Sequence, residues 1–385
     1  MSRSSRKFLF GAPLFAGLAF VIYTAVLYQS APQMLAWKPP QAPLAQGVLA
    51  PNTRLQKVRW FGKDIVKEAE DIAFDPQGRL YTGCIDGTIW RFDSALASAS
   101  TKDAVVAKPT LFAKTGGRPL GMVFSQEGTL YLADAIKGLL AISPNGQIKT
   151  LLTGYQGKPF RFLNEIDLDP QAQALFFTDA SRLVGIFEEH RLDIASGVGS
   201  GRLFRYDLRT GQIKVLLDGL FFANGVALAP DRASIWIAET ARYRILRYWR
   251  RGPKAGKVDI FAENLPGFPD NISRSPNGGL WVALASTRVS LLDQWLHPHP
   301  RLKRLVFALP SWMRPAAQRH GYALHLDANG KITETLQDPT GRTLSNVTSV
   351  IEHNTRLYFG QIYHHAHGIA ALPRKPSPPP SDRSL

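Results

Sequence analysis

Glu70-Asp-Ile-Ala-Phe, Leu120-Gly-Met-Val-Phe, Asn164-Glu-Ile-Asp-Leu, Asn224-Gly-Val-Ala-Leu, Asp270-Asn-Ile-Ser-Arg and Val347-Thr-Ser-Val-Ile are six versions of one short string. Each runs through a turn into a second apolar strand carrying an aromatic, at Tyr81, Tyr131, Phe177, Trp236, Trp281 and Tyr358. Head and aromatic lie 11, 11, 13, 12, 11 and 11 residues apart. Self-similarity at a nearly constant spacing marks a repeat architecture. Turn strings such as Asp75-Pro-Gln-Gly, Ser143-Pro-Asn-Gly and Asp327-Ala-Asn-Gly separate the alternating strands, and no long amphipathic helix interrupts them. The class is all-β. Six units of this kind predict a six-bladed β-propeller over 54–372, because radial closure protects the sheet edges. Leu55 to Ile65 reads as a lone strand that completes the last blade.

The innermost strand of each propeller blade lines a central channel, so equivalent heads form a ring at one depth. Four of the six heads bear side-chain oxygen: Glu70, Asn164, Asn224 and Asp270. Short polar residues at strand starts often serve only local backbone groups. Here they recur in register and include two carboxylates, which favours a shared ligand. Two carboxylates and two amides suit a hard divalent cation: calcium, which takes about six to eight oxygens, with another hard divalent ion as the alternative. Histidine and cysteine are missing from the column, which disfavours zinc and copper. Asn271, one residue on, reads as a further ligand, whereas Asp71 and Glu165 read as structural hydrogen-bonding groups, with a second, deeper cation as the alternative. Leu120 and Val347 would form an apolar wall beside the ion.

The 385 residues carry 45% hydrophobic and 10% aromatic residues, enough for a packed core, and a formal net charge of +16. The basic residues are dispersed, with no zinc-finger spacing, RNP-like string or recognition helix, so nucleic acid is not expected as a partner. Attraction to an anionic lipid surface fits that charge better. The single cysteine, Cys84, excludes an internal disulfide and reads as a buried strand residue.

Arg3, Arg6 and Lys7 precede Phe8 to Tyr28, 21 residues without a charge, long enough to span a bilayer. The stretch reads as an uncleaved transmembrane signal anchor over 8–28, preceding the propeller. The basic flank leaves residues 1–7 cytoplasmic and the propeller on the extracytoplasmic side, periplasmic if the source is bacterial. Residues 29–53 hold five prolines and read as a semi-rigid spacer. The tail 373–385 reads as disordered. Two segments exceed ordinary connections, one from Ala180 to Gly201 and one from Ser286 to Gly321 with Trp295, Trp312 and Met313. Both are expected to cover an apolar substrate or to touch a membrane.

The strings Gly117-Arg-Pro-Leu-Gly, Phe176-Phe-Thr-Asp-Ala-Ser, Tyr248-Trp-Arg-Arg-Gly-Pro-Lys-Ala-Gly and Asn264-Leu-Pro-Gly-Phe-Pro-Asp-Asn-Ile resemble the strictosidine synthase-like family, of the adipocyte plasma membrane-associated type. The resemblance runs from about Gly62 to Ala371 and extends to the plan of a short N-terminus, one anchor and an external propeller. It implies kinship with paraoxonases and gluconolactonases, six-bladed propellers with an axial calcium. Their ligands would fall on Glu70, Asn164, Asn224 and Asp270, with Asn271 as the fifth. The glutamate of strictosidine synthases would align with Thr348, which is no acid or base near neutral pH, so alkaloid condensation is not expected. A paraoxonase histidine would align with Leu120. What the resemblance leaves is a calcium-dependent hydrolase of apolar or aromatic esters or lactones, of arylesterase or lactonase type. Asp270 would orient or deprotonate water, and Leu120, Val347, Thr348 and His364 are candidates for the substrate pocket. The alternative is a propeller that keeps calcium for structure and binds a ligand or protein.

Overall fold

The computed structural model describes residues 20, 22–29, 33–93, 108–188, 190–314, 316–362 and 368–374. Six four-stranded antiparallel sheets follow one another along the chain, and a small separate hairpin, Gly154–Tyr155 with Lys158–Pro159, lies between the second and the third in chain order. The inner strands are Ile72–Phe74, Pro119–Phe124, Leu163–Asp169, Ala223–Leu228, Gly267–Arg274 and Val347–His353. Arg59–Phe61 pairs with Ile369–Pro373 as the outermost strand of the last sheet. The first strand of the domain therefore closes the ring against the last, as the sequence predicted, over three residues rather than the whole stretch from Leu55 to Ile65.

The turns form because their residues supply the missing hydrogen bonds. Asp75 Oδ1 accepts from the backbone N–H groups of Gln77 (3.0 Å) and Arg79 (2.9 Å), and Gly78 takes the left-handed conformation with φ of 76°. Apolar side chains then alternate between the two faces of each sheet and meet those of the next blade. Between the last two blades, Trp281, Leu336, Val350 and Phe359 pack together. The indole N–H of Trp281 donates to the Glu352 carboxylate at 2.7 Å across that interface.

At the channel the blades meet so closely that side chains are excluded. A Cβ on Gly121 would lie 2.3 Å from Glu165 Oε1, and one on Gly225 would lie 2.6 Å from the Ile272 nitrogen and 2.7 Å from the Asp270 oxygen. Hydroxyls bridge the neighbours: Thr178 donates to the Asn224 carbonyl, Thr240 to the Pro269 carbonyl and Thr348 to the Glu70 carbonyl, each at 2.7 Å. The last of these ties the sixth blade to the first.

Register corrects two positions. Tyr81, Tyr131, Trp236 and Trp281 pair with Ala73, Val123, Ala227 and Ser273, each three residues after its head. In the third blade the residue so placed is Phe176, opposite Asp167, not Phe177. In the sixth, Tyr358 pairs with Ile351, so the head is Thr348 rather than Val347. Val347 instead lies in the core beside Leu55, Trp281 and Phe359.

The segment expected to be a free spacer also departs from expectation, because it runs along the propeller. Met34 is buried, and Asn52 donates to Thr335 Oγ1 at 3.1 Å and accepts from the Gln337 N–H at 3.1 Å. The expected anchor lies largely outside the described residues, as does the tail beyond Arg374. Residues 22–29 are helical, and among the described residues no helix is long and apolar enough to cross a membrane. Cys84 is buried.

The close approach at Gly225 predicts that Gly225→Ala lowers stability by about 1–3 kcal/mol through overpacking. Denaturant unfolding checks this, and an unchanged midpoint would mean that the fourth and fifth blades do not touch there.

Candidate metal centre

Five of the six heads sit where the inner strands break register, and Glu70 stands just ahead of its strand. The pairing of Leu163 with Asp179 resumes only at Ile166 with Phe177, and the same irregularity occurs between Pro119 and Met122, Ala223 and Val226, and Pro269 and Ile272. Such bulges leave the intervening residues outside the ladder and re-aim their side chains. In the sixth blade the break is one residue shorter, between Val347 and Ser349. That is why the head there falls on Thr348.

Glu70, Leu120, Asn164, Asn224, Asp270 and Thr348 together form the floor of one cavity of about 190 Å³. All six are buried. Asn271 lies one step further down the channel, where it lines a second hollow with Asp71, Glu165 and Ser349. It reaches back to the ring, its Nδ2 donating to Glu70 Oε1 at 3.4 Å. Asp71 and Glu165 hold the backbone, Asp71 Oδ2 accepting from Met122 at 3.1 Å and Glu165 Oε1 from Ile166 at 2.8 Å. The Thr348 hydroxyl is engaged by the Glu70 carbonyl. Leu120 packs with Phe162 and Phe222 as the apolar part of the wall. His364 lies outside the described residues.

Four oxygens at this centre are buried and have no hydrogen-bond partner among the described residues: Glu70 Oε2, Asn164 Oδ1, Asn224 Oδ1 and Asn271 Oδ1. Leaving a buried polar atom unpaired costs about 1–3 kcal/mol. All four are acceptors, so a cation would satisfy them together. The carboxyls show the same deficit. Burial pushes Glu70 well above the usual carboxylate range, repulsion from Asp270 and Asp71 adds to it, and Arg118 pulls the other way. Burial also raises Asp270 and Asp71 to about 7. No group of three or more His, Cys, Asp or Glu among the described residues is arranged to hold a metal. The ring has two carboxylates and draws the rest of its oxygen from amides, the donor set of a hard cation rather than of zinc. The residues therefore fit calcium.

Both long insertions reach the cavity. The first folds into the helix His190–Ser196, which contributes His190, Arg191 and Ile194; the second contributes Leu292 and Leu296 from its turn Leu291–Leu296, and Phe307 from the helix Pro300–Ala308. Their outer sides leave large apolar groups in solvent, Phe187 at 69%, Trp295 at 58% and Trp312 at 80% exposure. Sequence reading singled out the insertions but not His190, nor Arg118, which lies buried in the cavity wall and donates to the Glu68 carbonyl at 3.1 Å. Arg118 stood in plain view within Gly117-Arg-Pro-Leu-Gly, yet nothing in that string shows that its side chain turns toward the ring.

Family models named strictosidine synthase and strictosidine synthase-like, N-terminal, match residues 164–253 and 47–92. Protein Strictosidine synthase-like 10 of Arabidopsis thaliana is 39% identical over 322 residues, covering 76% of this chain and 82% of its own. The adipocyte plasma membrane-associated protein of Bos taurus is 35% identical over 340 residues, covering 86% of this chain and 81% of its own. Among solved structures, a gluconolactonase of Xanthomonas campestris superposes with a TM-score of 0.58 at 15% identity, covering 89% of this chain and 97% of that one. Regucalcin of Agrobacterium tumefaciens, described as a calcium-binding protein, superposes with a TM-score of 0.54 at 15% identity, covering 80% and 89%. At such identities the structural likeness speaks for the six-bladed fold alone. The sequence matches go further, and on them the chain belongs to the strictosidine synthase-like family.

Proposed function

We infer that the protein is a calcium-dependent hydrolase of esters or lactones, held to a membrane by its N-terminal segment. The observation that carries this reading is the set of unpartnered, buried oxygens of Glu70, Asn164 and Asn224 gathered with Asp270 at the floor of an apolar cavity, with that of Asn271 one step further down the channel. Glu70, Asn164, Asn224, Asp270 and Asn271 would hold the ion. When bound, calcium polarises a carbonyl and favours the negative charge that develops as water adds. The remaining work falls to the chain's own groups. Asp270 presents a buried carboxyl to the cavity and would orient the attacking water or take its proton. Leu120, Phe162 and Phe222 would seat an apolar or aromatic acyl group. A gluconolactonase and a calcium-binding propeller among the fold neighbours agree with this reading, and the membrane-associated relatives agree with the anchor.

Condensation of the strictosidine synthase kind is not proposed. Thr348 carries no titratable group near neutral pH, and its hydroxyl already donates to the Glu70 carbonyl. The apolar Leu120 in the ring favours a second reading, a calcium-stabilised propeller that binds a ligand or protein without turning it over.

Asp270→Asn and Glu70→Gln should each lower hydrolysis of aryl esters or lactones by roughly a hundred-fold or more while the circular dichroism spectrum is kept. Undiminished turnover in excess chelator would contradict the hydrolase reading. A pH effect follows from the same groups. Asp270 is raised from 3.8 to about 7 in the folded, metal-free chain, so the folded state holds more protons than the unfolded one between those values. Stability of the chelated protein should therefore fall as pH rises from about 4 through about 7. Calcium must displace those protons, so its affinity should rise across the same window. Thermal scans and calcium titrations at pH 5 and 8 measure both trends, and a calcium affinity independent of pH would contradict the assignment.

A further inference from the structure

The cavity roof is fastened from an unexpected direction. Met34 to Gln41, the stretch that joins the N-terminal segment to the propeller, lies between the two insertions. Leu35 N–H donates to the Ser196 carbonyl, the last residue of the helix His190–Ser196, at 2.7 Å. The Leu35 carbonyl accepts from Lys303 Nζ at 2.9 Å, across to the second insertion. Two residues on, Trp37 N–H donates to the His297 carbonyl at 3.0 Å. Its ring packs on the His297 ring at 4.9 Å and beneath the Arg242 guanidinium at 4.3 Å. Arg288 donates to the Pro40 carbonyl, and Asn264 to that of Gln41 at 2.9 Å.

These contacts are built features of the sequence. Gly197 follows Ser196 with φ of 77°, and a Cβ there would stand 3.0 Å from the Leu35 carbonyl oxygen. Lys303 and His297 are fully or almost fully buried. A buried lysine is expensive without an acceptor, and the Leu35 carbonyl supplies one. The partners are adjacent to cavity residues: Ser196 follows Ala195, His297 follows Leu296, and Lys303 lies one helical turn before Phe307.

We propose that Leu35 and Trp37 are positioning residues, and that the strap Met34–Gln41 braces the helix His190–Ser196 and the second insertion into one roof over the cavity. The attachment of the N-terminal segment and the shape of the substrate site are then mechanically one element. A propeller cut after residue 50 would keep its ring and lose its roof. Where substrate turnover is used as a readout, the proposal rests on the hydrolase reading; its structural consequence does not.

The test is hydrogen–deuterium exchange of the full chain in detergent, comparing the wild type with Trp37→Ala and Leu35→Pro, the second of which removes the N–H directed at Ser196 while also replacing an exposed leucine side chain and fixing φ at that position. Lys303→Met, which keeps the buried stem without the ammonium, gives the same reading if Leu35→Pro does not fold. Exchange in 190–197 and 291–308 should accelerate together by roughly ten-fold or more while the strands of the first two blades are unchanged. The KM for apolar esters should rise roughly five-fold or more with a much smaller change in kcat and no change in calcium affinity. Unchanged exchange in both segments would overturn the proposal, as would an equal rise throughout the propeller. Absence of hydrolysis in the wild type would sink the hydrolase reading while leaving the exchange result to decide on the brace.

Discussion

The structure turns on a crowd of buried oxygens that the chain does not neutralise by itself. Glu70, Asp270 and three asparagines converge from four blades onto the propeller axis, where their side chains are buried and like charges oppose one another. A fold driven only by stability would place apolar groups there. This one instead arranges bulges that aim the oxygens inward and glycines that let neighbouring blades close behind them. Threonine hydroxyls tie one blade to the carbonyls of the next. These devices make sense as the supports of an ion, which would bind the blades to each other as well as offer a chemical centre.

Much of this was legible because a propeller repeats its geometry. Identical local problems have similar local solutions, so the six strings exposed the inner strands, and the polar heads among them exposed Glu70, Asn164, Asn224 and Asp270. The legible part ended where the repeat was irregular. In the sixth blade the bulge is a residue shorter, so alignment by string assigned Val347 to the channel, although register gives that place to Thr348. In the third blade two phenylalanines stand side by side, and only strand pairing distinguishes Phe176 from Phe177. The proline-rich stretch before the propeller had no periodicity to betray its docking, since its contacts are hydrogen bonds and ring contacts made one residue at a time to groups some 160 or more positions away. Arg118 and His190 were missed for a related reason: their roles depend on where a long-range fold carries them, and not on any local pattern.

Two layers of the molecule thus have different duties. The channel floor supplies polarity and charge from rigid inner strands, the arrangement that holds catalytic and metal-binding groups most accurately. The cavity above it is supplied by insertions from the third and fifth blades, whose inner sides are mostly apolar, with His190 and Arg191 as polar exceptions, and whose outer sides expose tryptophan and phenylalanine. On the proposed hydrolase reading, variation of those insertions would alter which acyl groups fit without disturbing the ring. On the same reading, Thr348 sets this chain apart from condensing chemistry, and Leu120 would leave the axial centre, rather than a histidine in the second blade, to carry a reaction.

The central claim is that the axial oxygens hold calcium, and a crystal structure of the full chain grown with calcium tests it most directly. The account predicts one ion in contact with oxygens of Glu70, Asn164, Asn224, Asp270 and Asn271, at about 2.3–2.6 Å. Water molecules hydrogen-bonded to those same oxygens, with no cation at the axis, would contradict it.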